Sequence, residues 1–140
     1  MINKEMAKDY LERSLRCLEE AEISFSKKDY AGTVRRSQES LELAIKSLLR
    51  SLGVEYPREH DISEALIAER NRLPEELARE VDSLSPLVRE LASLRGPAMY
   101  GYEREGIPAS RAFKEEYARN VLATVRKHVK SIEAVLRKIL

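Results

Sequence analysis

The stretch from Asp29 to Asp61, DYAGTVRRSQESLELAIKSLLRSLGVEYPREHD, constrains the fold more than any other part of this 140-residue chain. Tyr30, Val34, Ser37, Leu41, Ala44, Leu48 and Leu52 recur every three or four residues, the period of one helix face. Ile45 and Leu49, beside Leu41 and Leu48, widen that stripe, as suits a helix that touches several neighbours. Asp29 offers a carboxylate to the free amides of the first turn. Gly53 is the stop signal, because glycine takes the left-handed conformation past a helix end without steric cost. Pro57 bars an early restart, and His60-Asp61-Ile62-Ser63 has the pattern of the next helix cap. The stretch predicts the central helix of a bundle.

The remaining segments predict its neighbours. Helix one is expected from Ile2 to about Ser26, with Ile2, Met6, Tyr10, Cys17, Leu18, Ala21 and Phe25 on its apolar face and Leu11 and Leu15 beside it. The link to Asp29 is so short that the two long helices must lie antiparallel. A short helix is expected from about Ile62 to Arg72. Pro74 suits the first position of another, where its missing amide is no loss. Leu77, Val81, Leu84, Val88, Leu91 and Leu94 continue the stripe, with a kink or short break expected at Pro86. Residues 95–108, RGPAMYGYEREGIP, hold three glycines and two prolines and predict the one long irregular loop. Ser110 is expected to cap the last helix, which carries Phe113, Tyr117, Val121, Val125, Val129, Ile132, Val135 or Leu136, and Ile139 inward. The fold class is therefore all-α: one domain over residues 1–140, an up-and-down bundle of four long helices plus a short extra helix.

Composition bounds the function. Hydrophobic residues make up 43% of the chain and charged ones 35%, with no tryptophan, the profile of a soluble helical protein. Sixteen arginines against nine lysines, and twenty glutamates against four aspartates, predict helices laced with ion pairs, and the scarcity of Asn and Gln hints at a thermophilic source. A net charge of +1 excludes a chain that binds nucleic acid by bulk electrostatics, and no DNA partner is expected. Cys17 is the only cysteine, so no intrachain disulfide forms, and it reads as a small buried apolar residue. MINKEMAKDY has no apolar run to mark a secretory signal and no membrane span is expected, so the cytoplasm is the expected compartment.

Common catalytic signatures are absent: no phosphate-cradling glycine motif, no H-E-x-x-H and no nucleophile elbow. His60 and His128 are the only histidines and fall on separate elements, so packing or capping suits them better than ligating a metal; no metal or cofactor is expected. Long loops in compact bundles are more often functional than their neighbours, which singles out residues 95–108. Arg95 can complement the carbonyl end of the preceding helix or grip a phosphate with its planar fork. Tyr100 and Tyr102 can stack on bases or pack the loop. Between Arg111 and Leu140 eight Lys or Arg stand against three Glu; Arg119, Arg126, Lys127 and Lys130 form either a basic face for RNA or an acidic partner, or solvated helix surface. Glu103, Arg104 and Glu105 are further candidates for partner contacts.

The segment S-Q-E-S-L-E-L-A-I-K-S-L-L, followed by glycine and H-D-I, resembles the second helix of the HEPN family (higher eukaryotes and prokaryotes nucleotide-binding). Gln38, Glu42, Lys46, Leu48, Leu49, His60 and Asp61 stand at its pattern positions, with Ser40 where alanine is usual. HEPN ribonucleases resemble one another chiefly in an R-x4-6-H motif before the last helix. Two protomers bring these motifs together, and RNA is cut without metal by attack of the ribose 2′-hydroxyl on the adjacent phosphate. Arg95 matches the arginine. Tyr100 replaces the histidine and Gly96 the polar neighbour, and a phenol of high pKa is a poor general base near neutral pH. A further branch carries R-x4-H-x-Y and is paired with a small nucleotidyltransferase that adenylylates the tyrosine. This chain reads R-x4-Y-x-Y, so Tyr102 falls on the modified position.

The resemblance thus implies a homodimer that partners a minimal nucleotidyltransferase in a toxin–antitoxin-like system, with Arg95, Tyr100 and Tyr102 in a shared cleft contacting nucleotide or RNA. The alternatives are a metal-independent endoribonuclease that uses Arg95 with Tyr100 or His60 in place of the missing histidine, and a structural interaction module.

Overall fold

A computed structural model of the protein describes residues 3–140, so the predicted place of Ile2 on the first helix lies outside the described residues. Helix α1 (Lys4–Ser26) starts where Asn3 accepts from the Met6 amide. It ends at Lys28, whose φ of 63° puts a non-glycine residue in the left-handed region. The amides of Lys28 and Asp29 bond back to the carbonyls of Phe25 and Ser24, closing the α1 end. Asp29 then caps α2 (Tyr30–Ser51) through the Gly32 amide at 2.9 Å, as predicted.

Gly53 ends α2 with φ 74°. Its amide reaches the Arg50 carbonyl, and the Val54 amide reaches that of Leu49, which satisfies two carbonyls the helix end would leave open.

Small residues seven apart make the seam between α1 and α2. Ala7, Ser14 and Ala21 face Thr33, Ser40 and Ser47, and all six are fully buried. Ser14 Oγ donates to the Ser40 carbonyl at 2.7 Å, Ser40 Oγ to the Ser14 carbonyl at 2.9 Å, and Ser47 Oγ to the Ala7 carbonyl at 2.6 Å. Small side chains let the backbones approach, and the hydroxyls then find carbonyls instead of water. The core face of α1 is therefore Ala7, Leu11, Ser14, Leu18 and Ala21. Met6, Tyr10 and Cys17, expected at its centre, lie at its half-exposed margin.

Beyond α2 the chain breaks into short pieces. Helix α3 (Ser63–Ala68) passes through a 3₁₀ turn at Arg70–Arg72 and the extended Leu73 to α4 (Glu75–Ala78). Helix α5 (Val81–Ser93) runs unbroken through Pro86, so the interruption falls at Arg79–Glu80 and not at the proline. Buried His128 fixes that point: its Nδ1 lies 2.7 Å from Glu80 Oε1. This histidine packs, as expected.

The predicted irregular loop is partly helical. Arg95–Tyr100 forms α6, with Pro97 in the first turn, where a missing amide costs nothing. Gly101 stops it, and Tyr102 pairs with Ile107 in an isolated β-bridge. Ser110 belongs to a separate short helix α7 (Ala109–Ala112) rather than capping the last one. Phe113 is extended and buried, and α8 (Glu115–Ile139) completes the bundle. The four long helices α1, α2, α5 and α8 surround one core, and α2 touches α1, α5, α6, α7 and α8. The protein is all-α, with α2 at its centre as predicted.

Candidate functional site

One face of α2 carries a polar ladder at successive four-residue steps. Gln38 Nε2 donates to Glu42 Oε1 at 2.7 Å, and Lys46 Nζ donates to Glu42 Oε2 at 2.9 Å. From the loop after α2, His60 Nδ1 lies 3.0 Å from Glu42 Oε1. Arg95, at the start of α6, donates to Gln38 Oε1 at 2.6 Å and lies 3.9 Å from Glu42. Gln38 is 3% exposed, so its amide has no water to turn to and its two hydrogen bonds fix the arginine in place. One carboxylate thus serves two cations and an imidazole.

The neighbouring loop is fixed as firmly. Asp61 Oδ1 accepts from the Ser63 amide at 3.0 Å and the Ser63 hydroxyl at 2.6 Å, while the Arg89 guanidinium lies 3.6 Å from Oδ2. Partial burial acts to raise this carboxyl's pKa, but the Ser63 bonds and Arg89 outweigh it and hold it below the ordinary value. A shallow cavity of about 190 Å³ opens beside the ladder, lined by Arg13, Glu39, Glu42, Leu43, His60 and Arg95. The family-like positions Gln38, Lys46 and His60 therefore meet at Glu42, and Arg95 joins them through Gln38 and Glu42.

Tyr100 and Tyr102 stand apart from that cluster. Five residues of helix, at about 100° each, turn Tyr100 about 140° away from Arg95 around α6. Tyr100 is 65% exposed. Tyr102 is 39% exposed, and its backbone exchanges hydrogen bonds with Ile107 at 2.8 and 3.0 Å. The turn between them, Glu103–Gly106, puts Glu103, Arg104 and Glu105 in solvent at the tip. Tyr102 also lines a groove of about 340 Å³ with Glu90, Leu94, Ala112, Phe113, Lys114 and Tyr117. No hydrogen bond or ring contact joins Arg95, Tyr100 and Tyr102 to one another among the described residues.

The six tyrosines divide sharply. Tyr30 donates to Glu115 and Tyr117 to Glu90, each at 2.7 Å, and Tyr56 accepts from Arg50 at 2.9 Å. Tyr10 lies against the guanidinium groups of Arg13 and Arg50. Burial, then the bond to Glu90, push the Tyr117 phenol far above its usual range; the bond to Glu115 raises that of Tyr30. The hydroxyls of Tyr100 and Tyr102 have no hydrogen-bond partner among the described residues, and these two are the exposed tyrosines.

The positive charge of α8 is largely engaged. Arg119 pairs with Glu115, Arg126 with Glu22, Lys130 with Glu133, and Arg137 with Glu12 and Glu133. Cys17 is half-buried, and burial with Glu39 and Glu20 nearby pushes its thiol up to about 11, so it stays protonated. Among the described residues, no group of three His, Cys, Asp or Glu could hold a metal, and no helix is long and apolar enough to cross a membrane.

Searches among curated proteins and among solved structures each found no match. A family model described as the HEPN domain matches residues 7–135. That span runs from the first turns of α1 nearly to the end of α8 and takes in the α2 ladder, Arg95 and both loop tyrosines. The chain belongs to the HEPN domain family.

Proposed function

We propose that the chain is the homodimeric partner of a minimal nucleotidyltransferase in a two-component, toxin–antitoxin-like system, with Tyr102 as the acceptor of a nucleotidyl group. Membership of the HEPN family supports association with nucleotides or RNA. The observation that carries the finer reading is the division of the tyrosines: the two in R-x4-Y-x-Y are the two that are exposed, and their hydroxyls have no hydrogen-bond partner among the described residues. A tyrosine acceptor must bring its phenolic oxygen to the α-phosphorus of a nucleoside triphosphate. The new oxygen–phosphorus bond replaces the bond to pyrophosphate, which leaves, and the phenol proton passes to the transferase or solvent. The hydroxyls of Tyr30 and Tyr117 are instead tied across the bundle to Glu115 and Glu90, which holds them away from an incoming transferase.

Arg95 and Tyr100 are the other residues of the shared cleft in this reading, contacting nucleotide or RNA. The test is co-expression with a minimal nucleotidyltransferase from the same genome, followed by peptide mass mapping. Wild type is expected to gain nucleoside monophosphate on the Tyr102 peptide, and Tyr102→Phe to gain none. Labelling of Tyr100 alone, or a monomer in light scattering, contradicts the proposal.

A second reading, a metal-independent endoribonuclease, draws support from His60 and Arg95 meeting at Glu42. RNA cleavage in EDTA that is lost in both Arg95→Ala and His60→Ala would establish it.

A further inference from the structure

Among the described residues, ten of the sixteen arginines lie within ion-pair distance of a carboxylate. Arg50 and Arg58 do not, and they line the same cavity of about 420 Å³ at the end of the bundle where α1 begins and α2 stops. Asn3, Val54, Glu55 and Tyr56 complete the described lining. Glu55 is the one acid among them; it is exposed and forms no ion pair with either arginine. Two guanidinium groups therefore line one cavity, and among the described residues neither is ion-paired to a carboxylate.

Arg50 is held ready. Its Nε donates to the Tyr56 hydroxyl at 2.9 Å. The guanidinium carbon lies 5.2 Å from the Tyr10 ring centroid and 5.5 Å from that of Tyr56, so two aromatic rings steady it. A guanidinium fixed before binding loses little freedom when a ligand arrives. Arg58, by contrast, is exposed and free to swing onto an anion at the cavity mouth.

Two arginine forks suit the oxygens of a phosphate better than a single carboxylate. The volume also exceeds what a lone phosphate fills and falls in the range of small-molecule sites, about 300–1,000 Å³. The ring of Tyr56 and the side chain of Val54 offer a wall for the remainder. We infer that this cavity binds the phosphate monoester of a small ring-bearing molecule, a sugar phosphate or mononucleotide, with the phosphate on Arg50 and Arg58.

This site is independent of the reading proposed above. It shares no lining residue with the cavity beside Arg95. Arg50 lies twelve residues beyond Gln38 on α2 (50 − 38), about 18 Å along the helix.

The experiment is isothermal titration of the purified protein at low salt with adenosine 5′-monophosphate, ribose 5-phosphate, inorganic phosphate and adenosine. Both esters are expected to bind, inorganic phosphate more weakly, and adenosine not at all. Tighter binding of the nucleotide than of ribose 5-phosphate assigns the site to nucleotides, and equal binding assigns it to sugar phosphates. Arg58→Gln, which removes no hydrogen bond or ion pair among the described residues, is expected to weaken the esters about tenfold or more, while Arg16→Gln, at an exposed arginine outside both cavities, leaves them unchanged. The inference is overturned if neither ester binds at millimolar concentration, if adenosine binds as well as its phosphate, or if Arg58→Gln binds like wild type.

Discussion

The Arg95 guanidinium donates to Oε1 of Gln38 at 2.6 Å, a bond between residues 57 apart in the sequence. Gln38 passes the contact on to Glu42, so the arginine is held by a relay and not by a lone ion pair. Gln38→Ala is expected to destabilise the protein by about 2 kcal/mol, because a buried amide bonded to two charged groups disappears. Arg95→Ala is expected to cost about 1 kcal/mol, since its side chain is 30% exposed and water can replace it at the rim. Urea midpoints compare them; equal losses would mean that Gln38 does not carry the relay.

The two glycines flanking Tyr100 should answer differently to alanine. At Gly101, φ is 75° and an added Cβ would lie 2.3 Å from the Ile107 carbonyl oxygen and 2.7 Å from the Ala109 amide. Backbone atoms cannot step aside, and Gly101→Ala is expected to cost about 2 kcal/mol or more and to open the Tyr102–Ile107 bridge. At Gly96 an added Cβ meets nothing within 4 Å, so Gly96→Ala should leave stability unchanged or improve it. Thermal melts and protease sensitivity at residues 101–108 check both.

Lys28 takes the left-handed position at the end of α1 that glycine fills at the end of α2. A lysine there carries steric strain that glycine avoids, partly offset by glycine's greater freedom when unfolded. Lys28→Gly is expected to stabilise by about 0.5–1 kcal/mol in chemical denaturation, the opposite sign to most surface glycine substitutions.

Asp61 gives a pH signature. Its folded pKa lies below the unfolded one, despite burial, because Ser63 and Arg89 favour the carboxylate. Its contribution is therefore complete above the ordinary carboxylate range and is lost as pH falls through the lower folded value. Asp61→Asn is expected to lose about 1 kcal/mol near pH 7, the order of a hydrogen bond whose acceptor is weakened, since Asp61 accepts from both the amide and the hydroxyl of Ser63. Denaturation curves of the two proteins should converge once the pH has fallen below the depressed folded value; a gap that persists in acid would assign the loss to packing.

The long helices were legible because apolar spacing and end signals agree within single segments: Asp29 and Gly53 both act as α2 requires. The face of α1 was misjudged by a residue because its seam is made of Ala7, Ser14 and Ala21, which apolar periodicity undervalues. Helix α6 was hidden by Gly96 and Pro97, which argue against a helix interior but are compatible with a first turn. Pro86 misplaced the break because the His128–Glu80 contact that marks it joins residues 48 apart. Arg95, Tyr100 and Tyr102 could be singled out from their place in the Gly- and Pro-rich segment 95–108 and from its resemblance to the family motif. The partners of Arg95 on α2 could not be assigned to it from sequence, since only the folded chain brings Gln38, Glu42 and His60 to the arginine.

Helix α2 is gripped by five other helices, and Gln38, Glu42, Lys46 and Arg50 occupy four successive steps on it. None of these side chains can shift along the bundle without carrying the rest. Twelve residues at about 100° each also turn Arg50 about 120° around the helix from Gln38, so the two ends of this row, about 18 Å apart along the axis, look out on different sides of the bundle. One helix thus acts as a rigid spacer that keeps the two cavities apart in direction as well as in distance.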